Sequence, residues 1–133
     1  MVVAITPLYA GLLAVLLVAL SVHTIRERRQ AQVALGDRGA PLLKRAVRAH
    51  GNFTEYVPLS LLMLLMIELT QHPLWLLHAL GLALLIGRAS HAFGITRSEE
   101  NFRWRIFGMF MTFGVLLISA FVLLLHSASV VVG

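Results

Sequence analysis

The chain has 133 residues, of which 59% are hydrophobic and 13% are charged, and its formal net charge at pH 7 is +5. Soluble domains carry about 25% charged residues, so this composition excludes an ordinary soluble domain and indicates an integral membrane protein. The chain contains no cysteine, which excludes disulfides and any protein thiol as a nucleophile or metal ligand.

Four apolar stretches are long enough to cross a hydrocarbon layer about 30 Å thick, which takes about 20 helical residues. They are residues 2–24, 53–70, 74–93 and 106–125. Their apolar residues are continuous rather than alternating, and lipid requires backbone groups to be satisfied internally, so we predict helices and not barrel strands. The expected fold is an all-α antiparallel bundle of four transmembrane helices that forms one domain over residues 1–133.

All eleven Lys and Arg residues fall into two windows, residues 26–48 and 88–105. By the positive-inside rule both windows are cytoplasmic, so we predict that both termini and the 71–73 turn lie on the outer side. The first apolar segment precedes the positive charge, which is not the order of a cleaved signal peptide. The basic residues lie at membrane borders, where they attract lipid head groups, and nucleic-acid binding is not expected.

The connections between the helices can be interpreted from their turn residues. Residues 36–41 form a turn-rich break between a cytoplasmic extension of the first helix and the approach to the second. The short 71–73 link requires the second and third helices to be antiparallel neighbours. Pro58 lacks an N–H group and is expected to kink the second helix near Glu55. Glu68, at the far end of that helix, is interpreted as interfacial.

A polar face opens the second helix. Arg48, Asn52 and Glu55 follow i, i+4, i+7 spacing and therefore lie on one side. That face suits a zwitterionic ligand, with Arg48 binding a carboxylate and Glu55 an ammonium group. Each residue also has a simpler interpretation. Arg48 can be an ordinary basic residue that flanks the span, Asn52 can cap the second helix, and Glu55 can pair with a neighbouring arginine. Tyr56 belongs either to an aromatic belt or to the same ligand site.

Arg88 and His91 are i, i+3 partners near the cytoplasmic end of the third helix. They lie at the membrane level of Arg48 and Glu55. An ion pair between Arg88 and Glu55 is therefore an alternative, purely structural use of both residues. His91 is either a satisfied histidine of the bundle or a proton carrier or ligand contact.

Charged residues also precede the fourth apolar run. They are Arg97, Glu99, Glu100, Arg103 and Arg105. The two glutamates would lie near the positive N-terminus of the fourth helix, and most of the group is expected to be solvated. Arg105 differs because it is the charge closest to the apolar run. The six histidines are scattered, and no pair has ligand spacing on one helix, so no metal site is predicted.

Self-association is expected because four helices of one chain cannot hide all of these polar groups from lipid. Small residues would allow close approach between helices. They include the glycines at positions 81, 87, 94, 108 and 114.

The string Arg48-Ala-His-x-Asn52-x-x-Glu55-Tyr56-x-Pro58, followed by Arg88-x-x-His91-Ala, resembles the MAPEG family, the membrane-associated proteins of eicosanoid and glutathione metabolism. The resemblance is strongest to small bacterial members and covers nearly the whole chain. It implies a homotrimer of four-helix protomers in a bacterial inner membrane, with glutathione bound between adjacent subunits near the cytoplasmic face.

The resemblance also implies residue roles. Glutathione would be bound by Arg48, Asn52, Glu55 and Tyr56 of the second helix, Arg88 and His91 of the third, and Arg26 at the end of the first. Arg105 corresponds to the arginine that activates the glutathione thiol, with Arg103 as a rival. A guanidinium favours the thiolate, which can attack a lipophilic electrophile or a hydroperoxide. Ile95 stands where eukaryotic members of the family place a tyrosine, and Gly51 stands where a basic residue is common.

These observations lead to the expectation of a glutathione-dependent membrane transferase or peroxidase that acts on lipophilic small molecules. The alternative is a non-enzymatic binding or scaffold protein of the membrane that keeps the same fold and pocket. A small transporter is a third and more distant alternative.

Overall fold

A computed structural model describes residues 3–97, 99 and 101–132 of the chain. This part contains four α-helices and no strand: α1 (Ile5–Ala31), α2 (Pro41–Leu69), α3 (Leu74–Thr96) and α4 (Phe102–Val132). Each helix is long and apolar enough to cross a membrane. The predicted all-α fold of four transmembrane helices is thereby confirmed. Val2, which begins the first predicted span, and Glu100 lie outside the described residues.

The helices are longer than the predicted spans, and the largest extension is at the start of α2. Pro41 occupies the first turn of α2, where its missing N–H group has no helical partner to lose. The predicted break over residues 36–41 falls within the connection 32–40, except for Pro41 itself. Gly36 and Gly39 have φ 72° and 79°, a backbone region that favours glycine. α2 continues as one helix through Pro58.

α2 and α3 each contact all three other helices, whereas α1 and α4 do not contact each other within the described residues. Most of the core lies between α1, α2 and α3, with Val115 added from α4. It includes Leu13, Phe53, Leu64, Leu77 and Leu84. We call the end with the 32–40 and 97–101 connections the basic end, and the end with the 70–73 turn the opposite end. The bundle is therefore open on one side, with α1 and α4 on its two flanks.

α4 packs against α3 through a narrow stripe of buried residues: Gly108, Thr112, Val115 and Ser119. A Cβ atom added at Gly108 would lie 2.5 Å from the Gly87 carbonyl oxygen and 2.6 Å from the backbone nitrogen of His91. The two backbones can approach this closely only because position 108 has no side chain. Gly114 differs from this pattern, since a Cβ atom there would meet no atom within 4 Å.

Glu68 caps another helix, a role that its interpretation as an interfacial residue did not include. The residue is 8% exposed, and its carboxylate accepts three hydrogen bonds from the start of α1. The amide nitrogens of Ala4 and Ile5 lie 2.7 and 2.8 Å from Oε1, and that of Thr6 lies 2.7 Å from Oε2. These N–H groups have no partner within their own helix, and a carboxylate also suits the positive end of the helix dipole. Glu68 therefore ties the end of α2 to the start of α1.

Candidate functional site

Arg88 is the most deeply buried charge near the basic end, with a residue exposure of 1%. Its Nη1 donates to Asn52 Oδ1 at 2.9 Å and to the Asn52 carbonyl oxygen at 3.3 Å. Its Nη2 lies 3.6 Å from the sulfur of Met109, and its guanidinium carbon lies 5.8 Å from the centroid of the Tyr56 ring. Arg88 thus joins α2, α3 and α4.

The charge of Arg88 is not neutralised by any carboxylate of the described residues, since none of them forms an ion pair with it. Its Nε is buried and has no hydrogen-bond partner. Neutral oxygen and sulfur atoms satisfy only part of the guanidinium. Burying an unpaired charge costs several kcal/mol, so the protein holds here a positive charge that an anion would stabilise.

Two of the simpler interpretations, Asn52 as a helix cap and an Arg88–Glu55 ion pair, are not observed, whereas Glu55 does have a neighbouring arginine as its partner. Asn52 lies in the middle of α2, so it does not cap the helix; its side chain binds Arg88 instead. The alternative ion pair between Arg88 and Glu55 is not observed. Glu55 Oε1 accepts instead from Arg48 Nη1 at 3.4 Å, and the two side chains are 51% and 61% exposed.

An exposed ion pair of this kind contributes at most about 1 kcal/mol. Arg48 and Glu55 can therefore separate at little cost, and each can then bind a charged group of a ligand. They lie one turn to either side of Asn52 on α2. The predicted polar face is thus divided into a buried centre and an exposed, exchangeable pair.

A cleft of about 390 Å³ lies between α3 and α4. Its wall is formed by His91, Phe102, Arg105, Ile106, Met109, Phe110 and Phe113. Met109 connects it to Arg88 through the sulfur contact. Phe113 connects it to Tyr56, because the two rings meet edge to face with centroids 5.6 Å apart. The cleft is therefore mostly apolar, with His91 and Arg105 as the charged or titratable residues of its wall.

Arg105 and its rival Arg103 face different spaces. Arg105 lies on the wall of this cleft together with His91. Arg103 lines a separate cleft with Asn101, Trp104 and Phe107. Within one chain, the geometry therefore favours Arg105 as the arginine that meets a ligand beside His91.

The position of Arg105 is set by Asn101 and Gly94. Asn101 Oδ1 accepts from the Arg103 amide at 3.1 Å and so caps α4, while the Asn101 amide donates to the Gly94 carbonyl oxygen at 3.1 Å. A Cβ atom added at Gly94 would lie 2.9 Å from the backbone nitrogen of Arg105. The cap was missed by the sequence analysis, although an asparagine directly before an apolar helix is a common N-cap signal.

The structure places Arg26 away from the other predicted site residues. It is exposed on α1, and α1 does not contact α4 within the described residues. Arg88 and Tyr56 contact α4 through Met109 and Phe113, and Asn52 is bound to Arg88. Arg105 and His91 line the cleft. Within one protomer nothing carries Arg26 to that cleft.

Comparison with known proteins adds an independent observation. The model of the MAPEG family matches residues 6–125, a range that includes every candidate site residue. The chain is 40% identical over 114 residues to Inner membrane protein YecN of Escherichia coli strain K12, covering 86% of each chain. The same identity and coverage hold for the protein of that name from Escherichia coli O6:H1. No solved structure gave a significant match.

Proposed function

The chain belongs to the MAPEG family, and on that premise we propose that it binds glutathione and uses its thiol to conjugate or reduce lipophilic compounds. The chain is a multi-pass integral membrane protein. We place it in the inner membrane of a bacterium, because its relatives bear the name inner membrane protein.

The observation that carries this proposal is the buried, unneutralised charge of Arg88 beside the cleft. Glutathione has two carboxylates, one ammonium group and one thiol. Arg88 is too buried for broad ligand contact, so it supplies positive potential and holds Asn52 in place. The exposed Arg48 binds a carboxylate, and Glu55, released from Arg48, binds the ammonium group.

The half-buried Arg105 acts on the thiol. A free thiol has a pKa of about 8.5, and a neighbouring guanidinium lowers this pKa because it stabilises the thiolate. A guanidinium has donors but no acceptor site, so Arg105 cannot take the thiol proton, which leaves to water at the mouth of the cleft. The thiolate then forms a bond to an electrophilic carbon, whose leaving group departs with the electron pair.

A hydroperoxide would react by a related route. The thiolate attacks the outer peroxide oxygen, the O–O bond breaks, and the alkoxide takes a proton from water. The resulting sulfenic acid of glutathione condenses with a second glutathione to give a disulfide and water. The apolar wall formed by Ile106, Phe110 and Phe113 suits a co-substrate that arrives from the lipid.

We also propose that the protein is a homotrimer in which α1 of one subunit lies beside α4 of the next. Support comes from the open side of the protomer, where α1 and α4 do not meet within the described residues. Such an arrangement would bring the exposed Arg26 to the cleft of the neighbouring subunit. Glutathione would then be bound between subunits.

The thiolate absorbance band tests the proposed chemistry. Glutathione titrated into the purified protein should produce this band. Arg105→Ala should abolish it, while the matched variant Arg103→Ala, which removes an arginine from the other cleft, should retain it. Loss of the band in Arg103→Ala alone would contradict the role of Arg105. Glutathione binding without a band in the parent protein would favour the non-enzymatic binding protein.

A further inference from the structure

A pair of histidines meets at the opposite end of the bundle, far along the helices from the candidate site. His72 lies in the turn between α2 and α3, and His126 lies on α4. Their ring centroids are 5.5 Å apart with an interplanar angle of 63°. Both residues are half-buried. The histidines are distant in the sequence, so spacing rules for one helix could not have detected the pair.

Thr70 determines which nitrogen of His72 is available. The Thr70 hydroxyl lies 3.0 Å from the carbonyl oxygens of Met66 and Ile67 and 2.9 Å from His72 Nδ1. A hydroxyl has a single proton. Two bonds form when that proton goes to a carbonyl oxygen and His72 Nδ1–H donates to the hydroxyl, whereas the reverse direction forms only one. His72 Nε2 is then left unprotonated, with its lone pair available.

This arrangement is that of an oriented metal ligand. Histidines that bind metals commonly donate their other ring N–H to a fixed acceptor, which sets the tautomer and the ring direction. Two imidazoles on one tetrahedral ion, with metal–nitrogen bonds of about 2.0–2.1 Å, have ring centroids about 5 Å apart. The observed separation of 5.5 Å is close to this value.

We propose that His72 and His126 bind one divalent transition-metal ion of the kind that prefers imidazole nitrogen, with Zn²⁺ as the reference ion. No group of three or more His, Cys, Asp or Glu residues is placed to hold a metal in the described part of the chain. Water therefore fills the remaining coordination positions. The site has two protein ligands and is open to solvent.

The ion would have a mechanical effect on α4. The partly buried Val122 and Leu123 pack against the core, but none of the described residues of α4 beyond Ser119 is buried, so fewer buried contacts hold this end of the helix than its first half. A metal bound by both histidines would fasten it to the turn between α2 and α3. Because the ion binds the folded arrangement, it would also stabilise the protein against unfolding.

The test is calorimetric titration of Zn²⁺ into the full-length, detergent-solubilised protein without a histidine tag. We expect one ion per chain, and His72→Asn and His126→Asn should each weaken binding about tenfold or more. The matched control is His78→Asn, which removes another histidine from the same end and should change affinity less than about twofold. Thr70→Val keeps both ligands but removes the acceptor for Nδ1, and should give an intermediate loss.

Thermal unfolding provides the second measurement. Zn²⁺ should raise the melting temperature of the parent and of His78→Asn, and it should not raise that of His126→Asn. The absence of saturable Zn²⁺ binding would overturn the proposal and identify the pair as an ordinary ring contact. Equal binding by the parent and by both ligand variants would overturn it as well. Neither result affects the glutathione proposal, because the two sites lie at opposite ends.

Discussion

Replacing Glu68 tests whether a side chain from the end of α2 holds the start of α1. In Glu68→Gln, the amide oxygen can take the place of Oε1 and keep the bonds from Ala4 and Ile5. The amide nitrogen then faces the Thr6 N–H group. It is itself a donor and cannot accept a hydrogen bond from that group. One buried donor is left unpaired, at a cost of about 1–3 kcal/mol, and the interaction of the charge with the helix dipole, about 0.3–2 kcal/mol, is lost.

We therefore expect Glu68→Gln to lower the free energy of unfolding by about 1–5 kcal/mol. Glu68→Ala should lower it further, because all three N–H groups lose their acceptor. The assay is equilibrium unfolding in mixed micelles with increasing SDS, followed by tryptophan fluorescence. Glu55→Gln is the matched control: it makes the same chemical change in an exposed ion pair and should change the free energy by less than about 1 kcal/mol. Equal stability of Glu68→Gln and the parent would refute the capping role.

Two further predictions concern the assembly of the site. Gly94→Ala should destabilise the protein by about 1–3 kcal/mol and weaken the thiolate band, because its Cβ atom would meet the backbone of Arg105. Gly11→Ala is the matched control, since a Cβ atom there meets nothing within 4 Å. This variant should change neither the stability nor the band. If glutathione is bound between subunits, Arg26→Ala and Arg105→Ala should each lose the band alone, whereas mixed oligomers of the two variants should regain part of it. Failure of the mixed oligomers to regain the band would mean that Arg26 and Arg105 of the same subunit form the site. An unchanged band in Arg26→Ala alone would remove Arg26 from the site.

The four spans could be predicted from the sequence because lipid imposes length and hydropathy on each helix separately. The start of α2 at Pro41 could not, because its first turns carry Lys44, Arg45 and Arg48 and give no hydropathy signal. Helix continuation there depends on local propensity and on packing against α1. Hydropathy therefore located the membrane segments better than the helix ends.

The candidate site, like the helices, could be predicted from the sequence only in part. The i, i+4, i+7 spacing placed Arg48, Asn52 and Glu55 on one side of α2, but only the fold determined their partners. A local capping rule offered the helix end as one interpretation of Asn52, whereas in the tertiary structure its side chain binds Arg88. The capping role of Glu68 joins residues that are distant in the sequence. No pattern within one helix could have shown it.

The central claim is that this membrane protein has a glutathione site at its basic end. Calorimetric titration of glutathione into the purified protein in lipid nanodiscs tests it most directly. We predict saturable binding, weakened about tenfold in Arg48→Ala, since a hydrogen bond to a charged group contributes about 1.5–3 kcal/mol. The absence of saturable binding at millimolar glutathione, or binding that Arg48→Ala leaves unchanged, would contradict the proposed site.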